Sequence, residues 1–347
     1  MDSSNSRRER YLVFGSTGLL GHFLVEQLLQ RGEKVRVFVR RPIPDERVEQ
    51  IVGDITNRDD VRRAVEGVEV VFQTVSIIDW NPSKPDLLYD VNVKGNHNVV
   101  EACVAAGVKK LIYTSSIDVV FDGRDLHYAD EGLSYPTKHL DHYSISKTIA
   151  EKEVIAANGR GGLLTCALRA AGIYGPGDRV RLPTVIDALR KGKPPRLGSG
   201  TSIFSHVYVE SVAHAHILAA DKLEEGSPVA GQCYFITDHD ATNFFDFVYD
   251  DICSALGYDV SHRGVPYRLA KLVATVAEWW VKLRRGDKAP LLTHYTVAAT
   301  CRDFSFTHAK ATRDFGYQPI VSREEAIRRT IEGLRACGLA RCDAEER

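Results

Sequence analysis

Short apolar runs alternate with longer amphipathic segments through the first half of the chain. The apolar runs are rich in β-branched and aromatic residues, which is typical of buried strands. In the segments between them, apolar residues recur at the spacing of a helix face. The predicted strands are 11–14, 34–39, 48–52, 68–74, 110–114 and 163–168, and the predicted helices include 20–30, 59–66, 91–106 and 144–157.

This alternation predicts an α/β fold, a Rossmann-type doubly wound parallel sheet with helices on both faces. The pattern changes after residue 175, where segments such as RKGKPPRLGSGTS (190–202) are rich in Gly, Pro and Ser and indicate loops. We expect residues 1–174 to form the Rossmann domain. Residues 175–347 should form most of a smaller, discontinuous substrate-binding lobe, with some elements returning to the core.

Three glycines lie at the first strand-to-helix junction, in the segment GSTGLLG (15–21). Glycines are needed there because the chain turns tightly and its backbone must approach a pyrophosphate at the helix N-terminus. Their position near the N-terminus predicts dinucleotide binding. The residues expected to contact the cofactor here are Gly15, Thr17, Gly18, Leu19, Leu20 and Gly21.

The second predicted strand ends in VRVFVRRP (35–42), with no carboxylate at its end. An acid there would hold the ribose 2′-hydroxyl of NAD, whereas an arginine accommodates the 2′-phosphate of NADP. A guanidinium can grip phosphate through two parallel hydrogen bonds. Arg40 therefore favours NADP over NAD as the cofactor, and the alternative is that Arg40 and Arg41 are solvated charges at a strand end.

A tyrosine and a lysine stand four residues apart in DHYSISKTIAEKEV (141–154), at the start of a predicted helix. That spacing places Tyr143 and Lys147 on one helix face. A nearby ammonium favours the phenolate, so Lys147 should lower the pKa of Tyr143 towards neutrality. The pair could then take a proton from a substrate alcohol as hydride leaves its carbon.

Polar side chains follow two other predicted elements. The strand in YTSSIDVVF (113–121) ends in hydroxyls, where doubly wound folds bind their ligands. Ser116 is the predicted hydrogen-bond partner of the substrate oxygen, and Ser115 is the alternative. Asn92, in DVNVKGNHNVVEAC (90–103), could complete a proton relay through its side-chain amide.

These motifs occur in the order seen in extended short-chain dehydrogenases/reductases. More narrowly, LRAAGIYGPGD (168–178), GQCYFITD (231–238) and AKATRDFGYQPIVSREEAIRRTIEGL (309–334) resemble the 3β-hydroxysteroid dehydrogenase family, which includes decarboxylating sterol-4α-carboxylate 3-dehydrogenases. The resemblance spans residues 10–335. Two departures are Ala170, where many relatives have Pro, and the missing acid on the second strand.

The resemblance implies NAD(P)-dependent oxidation of the 3β-hydroxyl of a sterol, steroid or triterpenoid. In the decarboxylating branch the new ketone lets a 4α-carboxylate leave as carbon dioxide. The resemblance also implies that Asp54 contacts the adenine ring, although a plain turn residue is the alternative. The remaining expected cofactor contacts are Ile55, Thr74 and Lys147.

Composition and charge bear on which partners and metals the protein could bind. Hydrophobic residues make up 44% and charged residues 26% of the 347, with a net charge of −1, so charge gives no reason to expect a nucleic-acid partner. The cysteines form no CxxC motif and should be reduced thiols; they are 103, 166, 233, 253, 301, 337 and 342. No metal is expected, because the AHAH pair His214 and His216, and likewise His139 and His142, lack evident partner ligands.

Residues 265–283 combine an apolar helical stripe with two tryptophans and flanking cations. That pattern is typical of a helix lying in a membrane interface, and equally of a cover over an apolar pocket. We see no signal peptide and no apolar run long enough for an ordinary transmembrane span. The expected location is cytoplasmic or peripheral on the endoplasmic reticulum membrane. The sequence leaves open whether the protein forms a homodimer.

Three alternative functions follow from the same residues. The first is a 3β-hydroxysteroid dehydrogenase/isomerase that releases no carbon dioxide. The second is an NADP-dependent carbonyl reductase acting on a non-steroid substrate, which Arg40 would suit. The third, a nucleotide-binding regulator without catalysis, is disfavoured by the intact set of Ser116, Tyr143 and Lys147.

Overall fold

A seven-stranded sheet of parallel strands forms the centre of the protein. The computed structural model describes residues 10–81, 85–284 and 290–341. Its strands are β1 (Arg10–Phe14), β2 (Lys34–Val39), β3 (Glu49–Val52), β4 (Val70–Gln73), β5 (Lys110–Ser116), β6 (Leu126–Ala129), β7 (Leu164–Ala170), β8 (Gly172–Tyr174), β9 (Arg196–Leu197), β10 (His206–Tyr208), β11 (Gln232–Ile236), β12 (Gly264–Val265) and β13 (Phe304–Phe306).

The α-helices alternate with these strands and cover both faces of the sheet. They are α1 (Leu19–Gln30), α2 (Arg58–Val65), α3 (Asp86–Tyr89), α4 (Asn96–Ala106), α5 (His142–Ala156), α6 (Arg181–Lys191), α7 (Val209–Lys222), α8 (Tyr267–Arg284), α9 (His294–Cys301), α10 (Ala309–Phe315) and α11 (Arg323–Ala336). Short 3₁₀ turns occupy Ile117–Val120 and Arg160–Gly162, and π-helical turns occupy Asp90–Gly95 and Asp246–Cys253.

The strand order across the sheet is β11, β7, β5, β4, β1, β2, β3. The chain first winds outwards from β1 to β3 and then crosses back to β4, so the winding reverses between β1 and β4. In doubly wound sheets, such a reversal opens a crevice at the carboxyl ends of the strands, where ligands bind. The predicted Rossmann-type fold is confirmed.

The apolar runs are nearly continuous because the strands are buried on both faces. In β2, Val35 and Val37 belong to the core that includes Leu24 of α1, whereas Phe38 faces a second core that includes Val61 of α2. Helices thus shield each face of the sheet from water. This double burial explains why the strand signal could be found from the sequence alone.

The six predicted strands all lie in this sheet, with ends that differ by at most two residues. The predicted helix 91–106 is helical throughout, but its first turn, Asp90–Gly95, is π-helical and α4 begins only at Asn96. Within that turn, the Asn92 side chain hydrogen-bonds both the amide and the carbonyl of Ile77, at 2.8 and 2.9 Å. Such π-helical turns are frequent at functional sites.

Three two-stranded parallel sheets lie outside the main sheet: β8 with β10, β9 with β12, and β6 with β13. The last of these joins a segment from the first half of the chain to one near its end. Conversely, β11 lies beyond residue 175 and completes the edge of the main sheet beside β7.

Candidate active site

The glycine loop between β1 and α1 depends on the absence of side chains. Gly15 has φ +86°, a left-handed conformation that favours glycine. A Cβ on Gly21 would lie 2.1 Å from the carbonyl oxygen of Gly15, so the helix could not approach the loop as it does. Thr74, at the end of β4, ties this loop to the sheet by donating its hydroxyl to the Phe14 carbonyl at 2.7 Å.

The N-terminus of α1 is open to an anion. Gly18 is the N-cap residue and supplies no side chain to the free amides, and the first turn contains no acidic residue. The Ser16 hydroxyl beside it is buried and has no hydrogen-bond partner among the described residues. Free amides, the helix dipole and an unpaired hydroxyl fit the pyrophosphate of a dinucleotide. Thr17 is exposed here, Leu19 half-buried and Leu20 buried.

The ends of β2 and β3 bring Arg40 and Asp54 near each other. Val39 is buried, whereas Arg40 is exposed at the strand end. Hydrogen bonds from Thr56 hold the pKa of Asp54 below its usual value, and the positive charge of Arg40 adds to this effect. Ile55 is buried beneath them, and its carbonyl accepts a hydrogen bond from Asn98 at 3.0 Å.

The catalytic candidates Tyr143 and Lys147 lie on α5, and both are buried. Asp141 caps the helix by accepting a hydrogen bond from the Ser144 amide at 2.8 Å. The Lys147 ammonium donates to the Thr114 carbonyl at 2.6 Å and lies 4.2 Å above the centre of the Tyr113 ring. Burial lowers the pKa of Lys147 to about 7, although Glu151 and Asp118 oppose that shift.

The Tyr143 hydroxyl interacts with the hydroxyls of Ser116 and Ser76, and both contacts favour its ionised form. Burial nevertheless raises the pKa of Tyr143 above its usual value, and the negative charge of Asp118 raises it further. We expected Lys147 to lower this pKa. That expectation is wrong for the structure as it stands, because loss of solvent outweighs the contacts that favour the phenolate.

Ser116 ends β5 and is bound to a carboxylate that the sequence analysis missed. The Ser116 hydroxyl donates to Asp118 Oδ2 at 2.6 Å, and the Tyr295 hydroxyl donates to Asp118 Oδ1 at 2.6 Å. Tyr295 comes from α9 and stacks on Trp80, with ring centres 5.5 Å apart. By contrast, the Ser115 hydroxyl is buried without a partner in the described chain.

Asn92 links two elements around the candidate site. Its amide donates to the Ser146 hydroxyl on α5 at 3.1 Å, and its remaining hydrogen bonds hold Ile77 and Ser76 in the loop after β4. The structure therefore places Asn92 between α5 and the loop that carries Ser76. Its predicted part in a proton relay would run through Ser146 or Ser76.

Three of these four histidines contact hydroxyl groups. His216 is buried and contacts the Thr114 hydroxyl at 2.7 Å, while His139 contacts the Thr148 hydroxyl at 3.1 Å and His142 lies against Tyr89. Across the three described ranges, no three His, Cys, Asp or Glu residues are grouped as metal ligands. Six cysteines are free thiols, and Cys342, like the N-terminal segment 1–9, lies outside the described residues.

The α8 helix presents an exposed apolar face. Its large apolar residues are 46 to 62% exposed; they are Leu269, Leu272, Val273, Val276, Trp279, Trp280 and Leu283. Only Ala270 and Ala274 of this helix are buried. Within the described part of the chain, no helix has the length and apolar character required to cross a membrane.

Solved structures share this fold. The UDP-glucose 4-epimerase of Thermotoga maritima, solved with UDP-glucose, superposes with a TM-score of 0.74 at 20% identity, covering 94% of this chain and 99% of that one. MoeE5, solved with UDP-glucose and NAD, superposes with a TM-score of 0.73 at 23% identity, with the same coverage.

Curated relatives are closer in sequence. The 3β-hydroxysteroid-dehydrogenase/decarboxylase isoform 1 of Arabidopsis thaliana is 40% identical over 296 residues, 83% of this chain and 67% of that protein. The decarboxylating sterol-4α-carboxylate 3-dehydrogenase of Mus musculus is 36% identical over 334 residues, 95% of this chain and 92% of that protein. The profile of the 3-beta hydroxysteroid dehydrogenase/isomerase family matches residues 12–267. The chain therefore belongs to the 3β-hydroxysteroid dehydrogenase/isomerase family.

Proposed function

We propose that this protein is an NAD(P)-dependent oxidoreductase that oxidises the 3β-hydroxyl of a sterol, steroid or triterpenoid and releases a 4α-carboxylate as carbon dioxide. The observation that supports this most is the meeting of Tyr143, Ser116 and Lys147 at the carboxyl end of β5. Names of curated relatives support the decarboxylating reaction, since the plant relative is called a 3β-hydroxysteroid-dehydrogenase/decarboxylase and the mouse relative a decarboxylating sterol-4α-carboxylate 3-dehydrogenase.

A nicotinamide dinucleotide, when bound, would supply the acceptor for the hydride that leaves the carbon bearing the alcohol. Tyr143 takes the hydroxyl proton, and Ser116 holds the substrate oxygen in place. Lys147, with a pKa of about 7, is charged in part at neutral pH, and its charged form opposes the burial that disfavours the Tyr143 phenolate. The loop of Gly15, Gly18 and Gly21 would hold that dinucleotide by its pyrophosphate.

Loss of carbon dioxide then requires that the negative charge developing on the 3-ketone oxygen be stabilised. The C4–carboxylate bond breaks, its electron pair moves towards the 3-ketone, and the oxygen gains enolate character. Hydroxyls of Tyr143 and Ser116 can donate to that oxygen as its charge develops. A proton from solvent or a neighbouring side chain finally completes C4.

The test is product mass after incubation with a 4α-carboxy-3β-hydroxysterol and NAD or NADP. Loss of both hydride and carbon dioxide supports the proposal. A ketone that keeps its carboxylate contradicts the decarboxylating part. A conjugated enone formed from a plain Δ5-3β-hydroxysteroid would favour the isomerase, and turnover of non-steroid carbonyls alone would favour the reductase.

Tyr143→Phe should lower kcat by at least about 100-fold, because it removes the proton acceptor. Tyr234→Phe is the matched control, since Tyr234 is a buried tyrosine on β11 whose hydroxyl donates to Asp314 of α10. If Tyr143→Phe retains full turnover, the assignment fails. A protein that binds neither NAD(H) nor NADP(H) would contradict the dehydrogenase function itself.

Light scattering on the same sample separates a monomer from a homodimer.

NADP is the cofactor that we propose for this chain. Arg40 is exposed at the end of β2, where a 2′-phosphate would lie, and no hydrogen bond or ion pair of its side chain is found among the described residues. Val39 occupies the position at which an NAD-selecting acid would be expected. The neighbouring Asp54 is the residue proposed for the adenine ring, with Ile55 beneath it.

The apolar face of α8 is proposed to lie in the interface of an anionic membrane. Its seven apolar residues fall within about 120° of the helix circumference, opposite the buried alanines. Two exposed cations, Arg268 and Arg284, border that stripe, and Lys271 and Lys282 are exposed further round the helix. Burial lowers the pKa of His142 and the charge of Lys282 lowers it further, so the end of α8 lies near the start of α5. An apolar substrate could thus enter from the bilayer.

Sedimentation with vesicles tests this contact. The protein should pellet with phosphatidylcholine vesicles that contain phosphatidylserine, less so with phosphatidylcholine alone, and less at high salt. Replacing Leu272, Val276 and Trp279 together by Ser should leave the protein in the supernatant. Ile320→Ser, at an exposed apolar residue away from α8, is the control. Equal pelleting of the α8 variant and the wild type would contradict membrane binding through this face.

A further inference from the structure

We propose that Asp118 is a positioning residue that sets which way the Ser116 hydroxyl proton points, and thereby whether the site prefers the alcohol or the ketone. This inference rests on the proposed function. It concerns a buried carboxylate that does not touch the reacting atoms in the mechanism above but binds the serine that does.

The geometry fits a two-state hydrogen bond. Asp118 Oδ2 lies 2.6 Å from Ser116 Oγ, a distance at which either oxygen can be the donor. When Asp118 is ionised it can only accept, so the Ser116 proton points away from the substrate and Ser116 offers its lone pairs to an alcohol O–H. When Asp118 is protonated and donates to Ser116, the serine proton is released towards a ketone or enolate oxygen.

Charges around Asp118 come from several elements. Burial raises its pKa, while the hydroxyls of Ser116 and Tyr295 and the positive charges of Arg181 and Lys147 oppose the rise. Burial raises the pKa values of Tyr143 and of the helix cap Asp141, and the charge of Asp118 raises both further. A change in the ionisation of Asp118 therefore acts on Tyr143, the proposed proton acceptor.

Tyr295 holds the other oxygen of Asp118. Its hydroxyl donates at 2.6 Å from α9, and its ring packs between Trp80 and Phe121. Because a donor to a carboxylate favours the ionised form, Tyr295 biases Asp118 towards the state that accepts the Ser116 proton. The residues Ser116, Asp118 and Tyr295 thus form one connected unit.

The test compares affinities, because rates in the two directions are tied by the reaction equilibrium. We would measure binding of a 3-ketosteroid with oxidised cofactor and of the matching 3β-hydroxysteroid with reduced cofactor, as functions of pH. In the wild type, ketone affinity should fall as pH rises, since ionised Asp118 withdraws the Ser116 proton.

Asp118→Asn should remove that pH dependence. The asparagine amide can donate to Ser116 at every pH, so the ratio of ketone to alcohol affinity should rise about tenfold at the alkaline end of the range. Purely structural damage would weaken both ligands alike. An unchanged ratio with an unchanged pH profile would overturn the proposal.

Tyr295→Phe supplies the second variant. It removes one donor from the carboxylate, so the transition in ketone affinity should move to higher pH by roughly one unit. Tyr234→Phe, which removes the comparable bond to Asp314, should leave the transition where it is. A Tyr295→Phe transition at the wild-type pH would contradict the role of Tyr295.

A substrate-free measurement separates this proposal from the proposed function. An infrared difference spectrum of wild type minus Asp118→Asn should show a carboxylic-acid band that disappears as pH rises, and at higher pH in Tyr295→Phe. No titrating band would overturn the proposal even if steroids are oxidised. A titrating band that shifts in Tyr295→Phe, in a protein that binds no steroid, would uphold the switch while the proposed substrate fails.

Discussion

The candidate cofactor loop and the candidate catalytic centre lie at the same edge of the sheet but are built in opposite ways. The loop comprises seven consecutive residues, 15–21, and its shape follows from glycines that leave room for backbone and anion. The catalytic centre gathers Ser76, Ser116, Tyr143 and Tyr295 through side-chain contacts. One site therefore depends on the absence of side chains and the other on their presence.

Exposure separates the two regions further. The loop opens to solvent at the N-terminus of α1, where no side chain caps the free amides. At the catalytic centre, burial dominates, raising the pKa values of Tyr143 and Asp118 and lowering that of Lys147. Substitutions should consequently act on cofactor affinity in the first region and on stability and proton chemistry in the second.

The largest effect is expected beneath the catalytic helix, one turn from Lys147. Glu151 is fully buried and pairs with Arg169 at 2.7 Å, and it also accepts the Tyr135 hydroxyl at 2.7 Å. Glu151→Gln leaves the Arg169 charge buried without its counter-ion and should lower the free energy of unfolding by about 3–5 kcal/mol in urea titrations. Glu101→Gln breaks an exposed pair with Arg160 and should cost about 1 kcal/mol or less. Equal losses of unfolding free energy in the two variants would show that burial does not determine how much each ion pair contributes.

A substitution in the glycine loop should lower the affinity for the dinucleotide more than it lowers the free energy of unfolding. Gly21→Ala places a methyl group 2.1 Å from the Gly15 carbonyl, which forces α1 away from the loop and should weaken dinucleotide binding by about 100-fold. Titration of cofactor fluorescence measures the dissociation constant. Gly192→Ala is the control, because nothing lies within 4 Å of its added Cβ. Normal affinity in Gly21→Ala would contradict the steric account.

A substitution at Arg40, beside the glycine loop, should have a smaller effect and should distinguish NADP binding from NAD binding. Arg40→Ala should weaken NADP binding by about tenfold and leave NAD binding unchanged, since only NADP carries the 2′-phosphate. Arg41→Ala gives the effect of removing a neighbouring exposed charge. Equal losses in both variants would reduce Arg40 to a general electrostatic contribution, and loss of NAD affinity would contradict the 2′-phosphate contact.

The same contrast explains what the sequence could predict. Strands buried on both faces and a glycine loop are local patterns, so the sheet, the loop and the Tyr143–Lys147 spacing were evident from the sequence. Asp118 stands two residues after Ser116 and could have been noticed, but its importance depends on burial. Tyr295 lies 177 residues further along the chain and carries no local signal. The raised pKa of Tyr143 was missed because spacing reveals neighbours and not the loss of solvent.

The smallest predicted effect concerns the pH dependence of stability at Lys147. Its pKa is about 7 in the folded protein and about 10.4 when the chain is unfolded. Between these values the unfolded state binds more protons, so this group makes the free energy of unfolding rise with pH, by about 1 kcal/mol from pH 7 to pH 8. Lys147→Met lacks that contribution, and the stability of wild type minus Lys147→Met should increase over the interval. Lys222→Met, at an exposed lysine, controls for loss of one positive charge. A difference that stays flat or falls would mean that Lys147 keeps its charge in the folded protein, held by Glu151 and Asp118 against the cost of burial.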